Sequence, residues 1–322
     1  MVEDGPLQIV FFGTPDFALA TLDALLGSRH RVVGVVTQPD RPRGRGQHVA
    51  ESPVKRRAVD AGLPVHQPAG LKDAAFLEAI AALQADLGVV AAYGRILSDR
   101  VLALPRLGFL NVHASLLPRY RGAAPVHRAV IAGDTETGVT IMRVVKALDA
   151  GPMLAIERRP IDPNETSDRV ERDLARIGAD LLVRTIDALA QGRAREMPQD
   201  ETQATYAPRL TKDEGLVDWT QSSQHVHNLI RGLHPWPHAF TFVESRRVIL
   251  RRSEISDTAN VHEEPGTVLE AHGDRLVVAT GAGALRLVDV QPEGKRVMGI
   301  RDFLSGHTLR AGDRFAAAPQ QR

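Results

Sequence analysis

The stretch Ile9-Val-Phe-Phe-Gly13-Thr-Pro-Asp-Phe17 decides the fold of the first half of the chain. Its apolar run is typical of a buried strand, and the turn at Gly13-Thr-Pro15 ends that strand. Asp16 then stands where an N-cap is favoured, ahead of apolar residues at helical spacing up to Leu26. A strand, a tight turn and a helix in this order predict the first unit of a parallel α/β sheet.

The alternation of strand and helix continues from there. Further strands are predicted at 31–37, 87–93, 109–113 and 138–144, and helices at 74–83, 123–132 and 167–189. Gly192 ends the last of these helices. Because strands alternate with helices, we expect a parallel sheet with helices on both faces.

The chain changes character after Gly192. Residues 193–210 are polar and contain prolines, which is typical of a linker, and 223–233 predicts one more helix. Beyond His234, turns separate five short strands at 240–243, 248–252, 267–271, 276–280 and 284–290, which predict a small β-barrel. We therefore predict a first domain over 1–192, a linker over 193–210 and a second domain over 211–322.

Composition excludes several classes of protein. The 322 residues include 43% hydrophobic and 25% charged residues, the balance of a globular protein. There is no cysteine, which excludes disulfides, thiolate nucleophiles and cysteine-ligated zinc. The apolar run at 9–12 is too short for a signal peptide or a membrane span, so we expect a soluble, cytoplasmic protein. With 40 basic and 39 acidic residues, a nucleic-acid partner must be bound by local clusters of charge.

The first turn between strand and helix argues against a dinucleotide cofactor. A Gly-rich fingerprint needs three glycines there, whereas this turn has only Gly13, and Pro15 lacks the amide that could hold a phosphate. We therefore expect no NAD, and a tight turn at the start of a helix is the simpler interpretation.

Asn111 and His113 stand at the end of a predicted central strand, where ligands bind in open α/β sheets. Two residues apart on a strand, their side chains point to the same side. An amide donor beside an imidazole suits acyl chemistry, because one can stabilise an oxyanion while the other carries a proton. Asp149 follows the next strand and could reach the same cleft. A structural Asn-x-His pair and an Asx-turn at Asp149 remain open alternatives.

The loop over 37–46 places Arg41, Arg43 and Arg45 among prolines and glycines. Arginine forks match phosphate oxygens, and glycines permit close approach of the backbone. This pattern favours a phosphate-rich partner, with a solvated loop as the alternative. The pairs Arg246-Arg247 and Arg251-Arg252 could extend such a surface, although side chains alternate between the faces of a strand.

Several motifs together resemble the folate-dependent formyltransferases, and among them the enzymes that act on methionyl-tRNA. The resemblance runs in order from about residue 8 to residue 303, nearly the whole chain. Its motifs are Phe12-Gly-Thr-Pro-Asp-Phe17, Thr37-Gln-Pro-Asp-Arg-Pro42, Asn111-Val-His113 with Ser115-Leu-Leu-Pro118, Arg121-Gly-Ala-Ala-Pro125, Gly138-Val-Thr-Ile-Met142, Leu148-Asp-Ala-Gly151, Thr205-Tyr-Ala-Pro208 and Pro235-Trp-Pro237.

The resemblance implies a Rossmann-like N-terminal domain, a C-terminal barrel similar to an OB-fold, and 10-formyltetrahydrofolate as the formyl donor, with no metal. It implies that Asn111, His113 and Asp149 are catalytic. It also implies that Ser115, Leu116, Leu117 and Pro118 line the folate site. The loop with Arg41, Arg43 and Arg45 resembles an insertion that contacts tRNA, with Arg45 nearest the acceptor end. Initiator methionyl-tRNA is then the partner, and a monomer is expected.

Three other functions compete with this one. A formyltetrahydrofolate deformylase would use the same trio with water as acceptor, but would need neither the arginine loop nor the barrel. A sugar-nucleotide amine formyltransferase is often fused to a dehydrogenase, and this chain lacks the second Gly-rich fingerprint of one. A non-catalytic RNA-binding protein is hard to reconcile with an intact Asn111, His113 and Asp149.

Overall fold

The structure is a computed structural model that describes residues 5–43, 48–243, 246–258 and 261–316, and the side chains of these residues apart from 41–43, 48 and 49. The chain forms two compact units. The first unit comprises residues 1–125, 136–159 and 171–207, and the second comprises 126–135, 160–170 and 208–322. Residues 193–207 of the expected linker therefore belong to the first unit. The division of the chain into functional domains stays a prediction.

The elements up to residue 207 alternate largely as the sequence indicates. In chain order they are β1 (Gln8–Gly13), α1 (Asp16–Leu26), β2 (Arg31–Val36), β3 (Arg41–Arg43), β4 (His48–Ala50), α2 (Pro53–Asp60), β5 (Val65–His66), α3 (Ala74–Ala82), β6 (Leu87–Ala91), α4 (Asp99–Leu102), β7 (Phe109–His113), β8 (Arg121–Gly122), α5 (Pro125–Ala132), β9 (Glu136–Arg143), β10 (Met153–Pro160), α6 (Ser167–Ala190) and β11 (Tyr206–Ala207). A 3₁₀ turn covers Glu201–Gln203.

The main sheet of the first unit has the strand order β10-β9-β7-β6-β1-β2-β5. The strands from β7 to β5 pair in parallel, which confirms the Rossmann-like fold class. The expectation that the whole sheet is parallel is wrong, because β9 runs antiparallel to β7. In an antiparallel pair, β9 begins beside the carboxyl end of β7. The strand β10 was not predicted, because only its first half, 153–156, is apolar and its second half is charged, with exposed residues at alternate positions.

The core of the first unit lies on the sheet around Phe12, whose ring meets those of Tyr93 and Phe109 edge-on at 5.4 Å. Residues from β1, β2, α3, β6 and β7 continue this cluster. The helix α1 packs with one apolar face, as predicted, but Asp16 is its first residue and not its N-cap. Pro15 occupies the cap position without a side-chain hydrogen bond. The first turn is thus a tight turn, in agreement with the simpler interpretation.

The second unit is built on an antiparallel sheet. Its elements after residue 207 are α7 (Ser223–Gly232), β12 (Ala239–Val243), β13 (Arg246–Ile255), β14 (Val268–His272), β15 (Arg275–Ala279), β16 (Ala284–Pro292), β17 (Met298–Gly299) and α8 (Ile300–Ser305), which follow a 3₁₀ turn at Asp213–Gly215. The strand order is β12-β13-β16-β15-β14, with β17 beside β16.

A short C-terminal segment closes this sheet. Ala316 exchanges two backbone hydrogen bonds with Phe242 of β12, at 2.9 and 3.0 Å. The N–H of Phe315 donates to the carbonyl of Gly266 at 2.8 Å, and the N–H of Val268 donates to Asp313 at 2.7 Å. Because one segment pairs with both edge strands, the sheet is barrel-like, as predicted.

We expect Gly88→Ala to destabilise the first unit, because a Cβ at this position of β6 would lie 2.1 Å from the ring of Phe109 on β7. Overpacking of this kind costs about 1–3 kcal/mol in the free energy of unfolding. Urea denaturation measures the change. Gly70→Ala is the matched control, because nothing lies within 4 Å of the position that its methyl group would occupy. Equal stability of the two variants would contradict the close packing of β6 on Phe109.

Candidate active site

Asn111 and His113 lie on β7, in the interior of the sheet. Asn111 stands between Val90 of β6 and Met142 of β9. The imidazole of His113 is buried, and Asn111 is half-buried. Within the described part of the chain, the Asn111 amide makes no hydrogen bond. Its N–H groups therefore remain able to bind a ligand on the side of the strand that His113 also faces.

The imidazole of His113 is held between a carbonyl and a carboxylate. Its Nε2 lies 2.9 Å from the carbonyl oxygen of Tyr120. Since a carbonyl can only accept, Nε2 carries a proton and donates it to this bond. Nδ1 lies 3.7 Å from Oδ2 of Asp149, a distance suited to an ion pair and too long for a hydrogen bond. The second ring nitrogen is thus the one available for proton transfer.

Asp149 reaches His113 by a different route from the one that the sequence suggests. Because β9 is antiparallel, its end lies beside the start of β7, where the N–H of Val144 donates to the carbonyl of Phe109 at 3.0 Å. The turn over 144–151 then brings Asp149 back to His113. There Oδ2 of Asp149 accepts a hydrogen bond from the N–H of Gly122 at 2.8 Å. The structure therefore brings His113 and Asp149 together, with Asn111 two residues away on the same strand.

The two residues that hold the His113 ring have unfavourable backbone conformations. Tyr120 has φ of 62° and Asp149 has φ of 49°, in the left-handed region that favours glycine. Such conformations cost on the order of 1–3 kcal/mol and persist only where the surroundings enforce them. Strained residues cluster at functional sites, so their position at one imidazole supports a functional role for it.

Arg121 lies between Tyr120, which contacts His113, and Gly122, which contacts Asp149, and its role was not predicted from the sequence. Its side chain is only 2% exposed. The guanidinium binds Glu201 through two hydrogen bonds of 2.7 and 2.8 Å, and also binds Gln199. The bond from Arg121 lowers the pKa of Glu201, and the bond from Glu201 raises the pKa of Arg121. No periodic pattern marks such a pair, although Arg121 opens one of the recognised motifs.

The segment over 199–207 lies beside this arginine, and it too was missed as part of the site. The strand β11 pairs in parallel with β8, and the N–H of Arg121 donates to the carbonyl of Thr205 at 2.8 Å. Oγ1 of Thr205 accepts from the N–H of Tyr120 at 2.9 Å. These bonds fix the backbone that contacts His113 and Asp149.

The stretch predicted to line a folate site divides into inward and outward residues. Ser115 is buried, and its hydroxyl donates to the carbonyl of Arg119 at 2.7 Å. Leu117 is buried against Met142 and Met153. Leu116 and Pro118 are half-buried. The side chains of Ser115 and Leu117 therefore maintain the turn, while Leu116 and Pro118 are the members partly open to a ligand.

Two of the predicted tRNA-contacting arginines, Arg41 and Arg43, lie on β3, which pairs with β4. The antiparallel register pairs Arg41 with Ala50 and Arg43 with His48. The side chains of Arg41 and Arg43 and the whole of Arg45 lie outside the described residues, so their role stays a prediction. Lys55, which follows this loop, forms ion pairs with Asp40 at 2.5 Å and Glu51 at 2.9 Å.

Arginines of the second unit alternate between different environments along β13. The guanidinium of Arg247 stacks over the ring of Phe240 at 3.8 Å, and Arg252 pairs with Asp289 at 3.0 Å. Arg251 donates to Nε2 of His238 at 2.6 Å. The pKa of His238 is lowered to about 4, mainly because the imidazole is buried and secondly because the positive charge of Arg251 lies close to it. Arg252 thus has an acidic partner, whereas the described partners of Arg247 and Arg251 are an aromatic ring and an imidazole.

Comparisons with known proteins identify the family. A profile described as formyl transferase matches residues 7–186, and one described as formyl transferase, C-terminal domain matches residues 209–308. The chain belongs to the formyl transferase family. The methionyl-tRNA formyltransferase of Moorella thermoacetica is 46% identical over 95% of this chain and 98% of its own length. That of Desulfotalea psychrophila is 47% identical over 96% and 95%.

Two solved structures share the fold at low sequence identity. An N-formyltransferase from Helicobacter canadensis, in complex with folinic acid and dTDP-3-aminofucose, has a TM-score of 0.66 and 16% identity, covering 89% of this chain and 99% of its own. HypX from Aquifex aeolicus, in complex with tetrahydrofolic acid, has a TM-score of 0.64 and 16% identity. The match covers 93% of this chain, which spans only about half of HypX, 47%.

Neither a membrane span nor a metal cluster occurs among the described residues. Over 5–43, 48–243, 246–258 and 261–316, no helix is long and apolar enough to cross a membrane. Over the same ranges, no three His, Asp or Glu side chains gather in a way that could hold a metal ion.

We expect Asn111→Ala to lower the turnover of formyl transfer by ~10²–10³, the usual loss when one oxyanion donor is removed. The half-buried amide has no hydrogen-bond partner in the described part of the chain, so its removal should leave the fold intact. Steady-state kinetics measure the turnover, and a thermal melt checks the fold. Asn164→Ala, at an exposed position, is the control. Full turnover in the Asn111 variant would eliminate this residue from the reaction.

Proposed function

We propose that this chain transfers the formyl group of 10-formyltetrahydrofolate to the α-amino group of initiator methionyl-tRNA, giving N-formylmethionyl-tRNA for translation initiation. The observation that carries the proposal is the position of the His113 imidazole between the Tyr120 carbonyl and the Asp149 carboxylate. His113 lies on the same strand as Asn111. The two relatives named methionyl-tRNA formyltransferase, at 46% and 47% identity over nearly the whole chain, support this choice of acceptor.

The chemistry of these side chains fits a formyl donor. The donor supplies an electrophilic formyl carbon whose oxygen becomes negative when an amine adds. An amide with no other partner in the described structure, Asn111, offers N–H groups to that oxygen. The positive charge of a protonated His113 would stabilise the same oxygen, and Asp149 would stabilise the charged ring.

The geometry of His113 suggests which ring nitrogen accepts and returns the transferred proton. Nε2 is committed to the carbonyl of Tyr120, so Nδ1 is the atom that exchanges protons. In the proposed sequence, the amine nitrogen bonds to the formyl carbon and gives a proton to Nδ1. The bond from that carbon to folate nitrogen then breaks, and the departing nitrogen takes the proton back from Nδ1. Asp149 stays ionised throughout and holds the imidazolium that forms in between.

For the folate, we propose that the stretch Ser115, Leu116, Leu117 and Pro118 forms one wall of the site. Leu116 and Pro118 would contact the co-substrate, because their side chains are half-buried. Ser115 and Leu117 would act through the turn that they stabilise. An apolar wall suits the flat ring system of a folate, and the proposal needs no metal or NAD.

For the tRNA, we propose that Arg41, Arg43 and Arg45 contact phosphates near the acceptor end, and that the barrel over 211–322 is a tRNA-binding domain beside a catalytic domain over 1–192. Arginines at every second position support the first part, since their forks match phosphate oxygens. The cationic groups of β13 that lack acidic partners in the described structure support the second. A cytoplasmic monomer, acting where tRNA is used, completes the proposal.

One assay separates this function from its rivals. The chain is given 10-formyltetrahydrofolate with initiator Met-tRNA, elongator Met-tRNA, an amino-sugar nucleotide or water alone, and the formylated product and lost donor are measured. We expect formylation of the initiator tRNA only, because the other acceptors lack its α-amine or its identity features. Product on the sugar would identify a sugar-nucleotide enzyme, and loss of donor without an acceptor would identify a deformylase.

We expect Arg45→Ala to raise the Michaelis constant for tRNA about tenfold or more, because a hydrogen bond to a charged group contributes about 1.5–3 kcal/mol. The constant for folate should stay unchanged, because the loop is proposed to contact only tRNA. Initial rates over a range of tRNA concentrations give the result. Arg100→Ala, an exposed arginine on α4, is the control. A tRNA constant equal to that of the control would remove Arg45 from the interface.

A further inference from the structure

The side-chain amide of Gln199 joins separate segments of the first unit. Its Nε2 donates to the carbonyl oxygens of Asp149 and Gly151, both at 2.8 Å. Its Oε1 accepts from Nη2 of Arg121 at 2.7 Å and from Nε of Arg121 at 3.1 Å. A primary amide has two N–H donors and two acceptor lone pairs, so these four bonds use its full capacity.

Both the oxygen and the nitrogen of the Gln199 amide bind segments that hold the His113 imidazole and the Asp149 carboxylate. Arg121 stands between Tyr120, whose carbonyl accepts from His113, and Gly122, whose N–H donates to Asp149. The other end of the Gln199 amide binds the main chain of Asp149 itself. One side chain thereby fixes the peptide that holds the imidazole and the peptide that carries the carboxylate.

We propose that Gln199 is a positioning residue that sets the separation of the His113 imidazole and the Asp149 carboxylate. Its hydrogen bonds in the described structure go to Arg121 and to the turn at 149–151 and not to His113, so it acts through those two segments. The inference deepens the proposed function, because the pair that it positions is the one assigned to proton transfer. A shift of about 1 Å in a group of this kind can cost ~10²-fold in rate.

The left-handed conformation of Asp149 makes such a support necessary. With φ of 49°, the residue is held against its own backbone preference. Gln199 donates to its carbonyl and to that of Gly151 two residues later, and so restrains the turn on both sides of residue 150. Without these donors, the turn is expected to relax and to move the carboxylate away from Nδ1.

The test is Gln199→Glu in the full-length enzyme. A glutamate has the same shape and still accepts from Arg121, but it cannot donate to the two carbonyls that it faces. We expect kcat to fall by ~10–10², with Michaelis constants for folate and tRNA changed by less than about threefold. The pH profile of kcat should also move, since it reports on the His113–Asp149 pair. Gln191→Glu is the matched control, because its exposed side chain accepts, within the described part of the chain, from the neighbouring Arg193 alone.

A second measurement is independent of turnover. The ¹⁵N resonances of the His113 imidazole, recorded at one pH without substrates, should shift in Gln199→Glu and stay in place in Gln191→Glu. If the wild-type chain fails to formylate Met-tRNA, the proposed function falls while this measurement still tests the positioning. Should Gln199→Glu fail to fold, Gln199→Met removes the same donors without adding a charge.

Two results would overturn the inference. One is a folded Gln199 variant with wild-type kcat and wild-type His113 resonances. The other is a loss of kcat accompanied by a lower melting temperature, with the pH profile and the His113 resonances unmoved, which is the signature of a general structural role.

Discussion

The buried guanidinium of Arg121 is the constraint on which the candidate site depends. A cation removed from water must be paired, or it destabilises the fold by several kcal/mol. Its partners, Gln199 and Glu201, lie about eighty residues further along the chain. The pairing therefore holds the strand β11 and its neighbours against β8. The carbonyl of Tyr120 and the N–H of Gly122 then have fixed positions, and from them the imidazole and the carboxylate take theirs.

The parallel part of the sheet could be predicted because its strands are short apolar runs with helices between them. Asn111 and His113 followed from that prediction, since the end of a central strand is where open sheets bind ligands. The direction of β9 could not be predicted, because an apolar run does not record the direction in which its strand pairs. Asp149 was thus placed near His113 for an incomplete reason. Its actual approach depends on a turn with a left-handed residue, which spacing alone does not indicate.

The residues around the site were harder to predict than the reactive ones. Gln199 and Thr205 lie in a polar stretch whose composition is that of a linker, and their importance arises only from contacts distant in sequence. In the second unit, the five predicted strands appear with small shifts in their bounds. The closing segment at 313–316 has no strand pattern of its own, since it pairs through a few backbone groups at each edge. Local pattern thus predicts elements well, whereas closure and positioning depend on long-range bonds.

The two groups that hold the His113–Asp149 pair most directly are a carbonyl and an N–H of the main chain. A side-chain substitution deletes neither backbone group, so a scan of single substitutions would underestimate how much this peptide contributes. Exchange of the amide at Gly122 for an ester would delete the donor while keeping the shape of the chain. In such a site, point mutations cannot remove the closest contacts, because these are backbone groups. They act instead through the more distant side chains that orient the backbone.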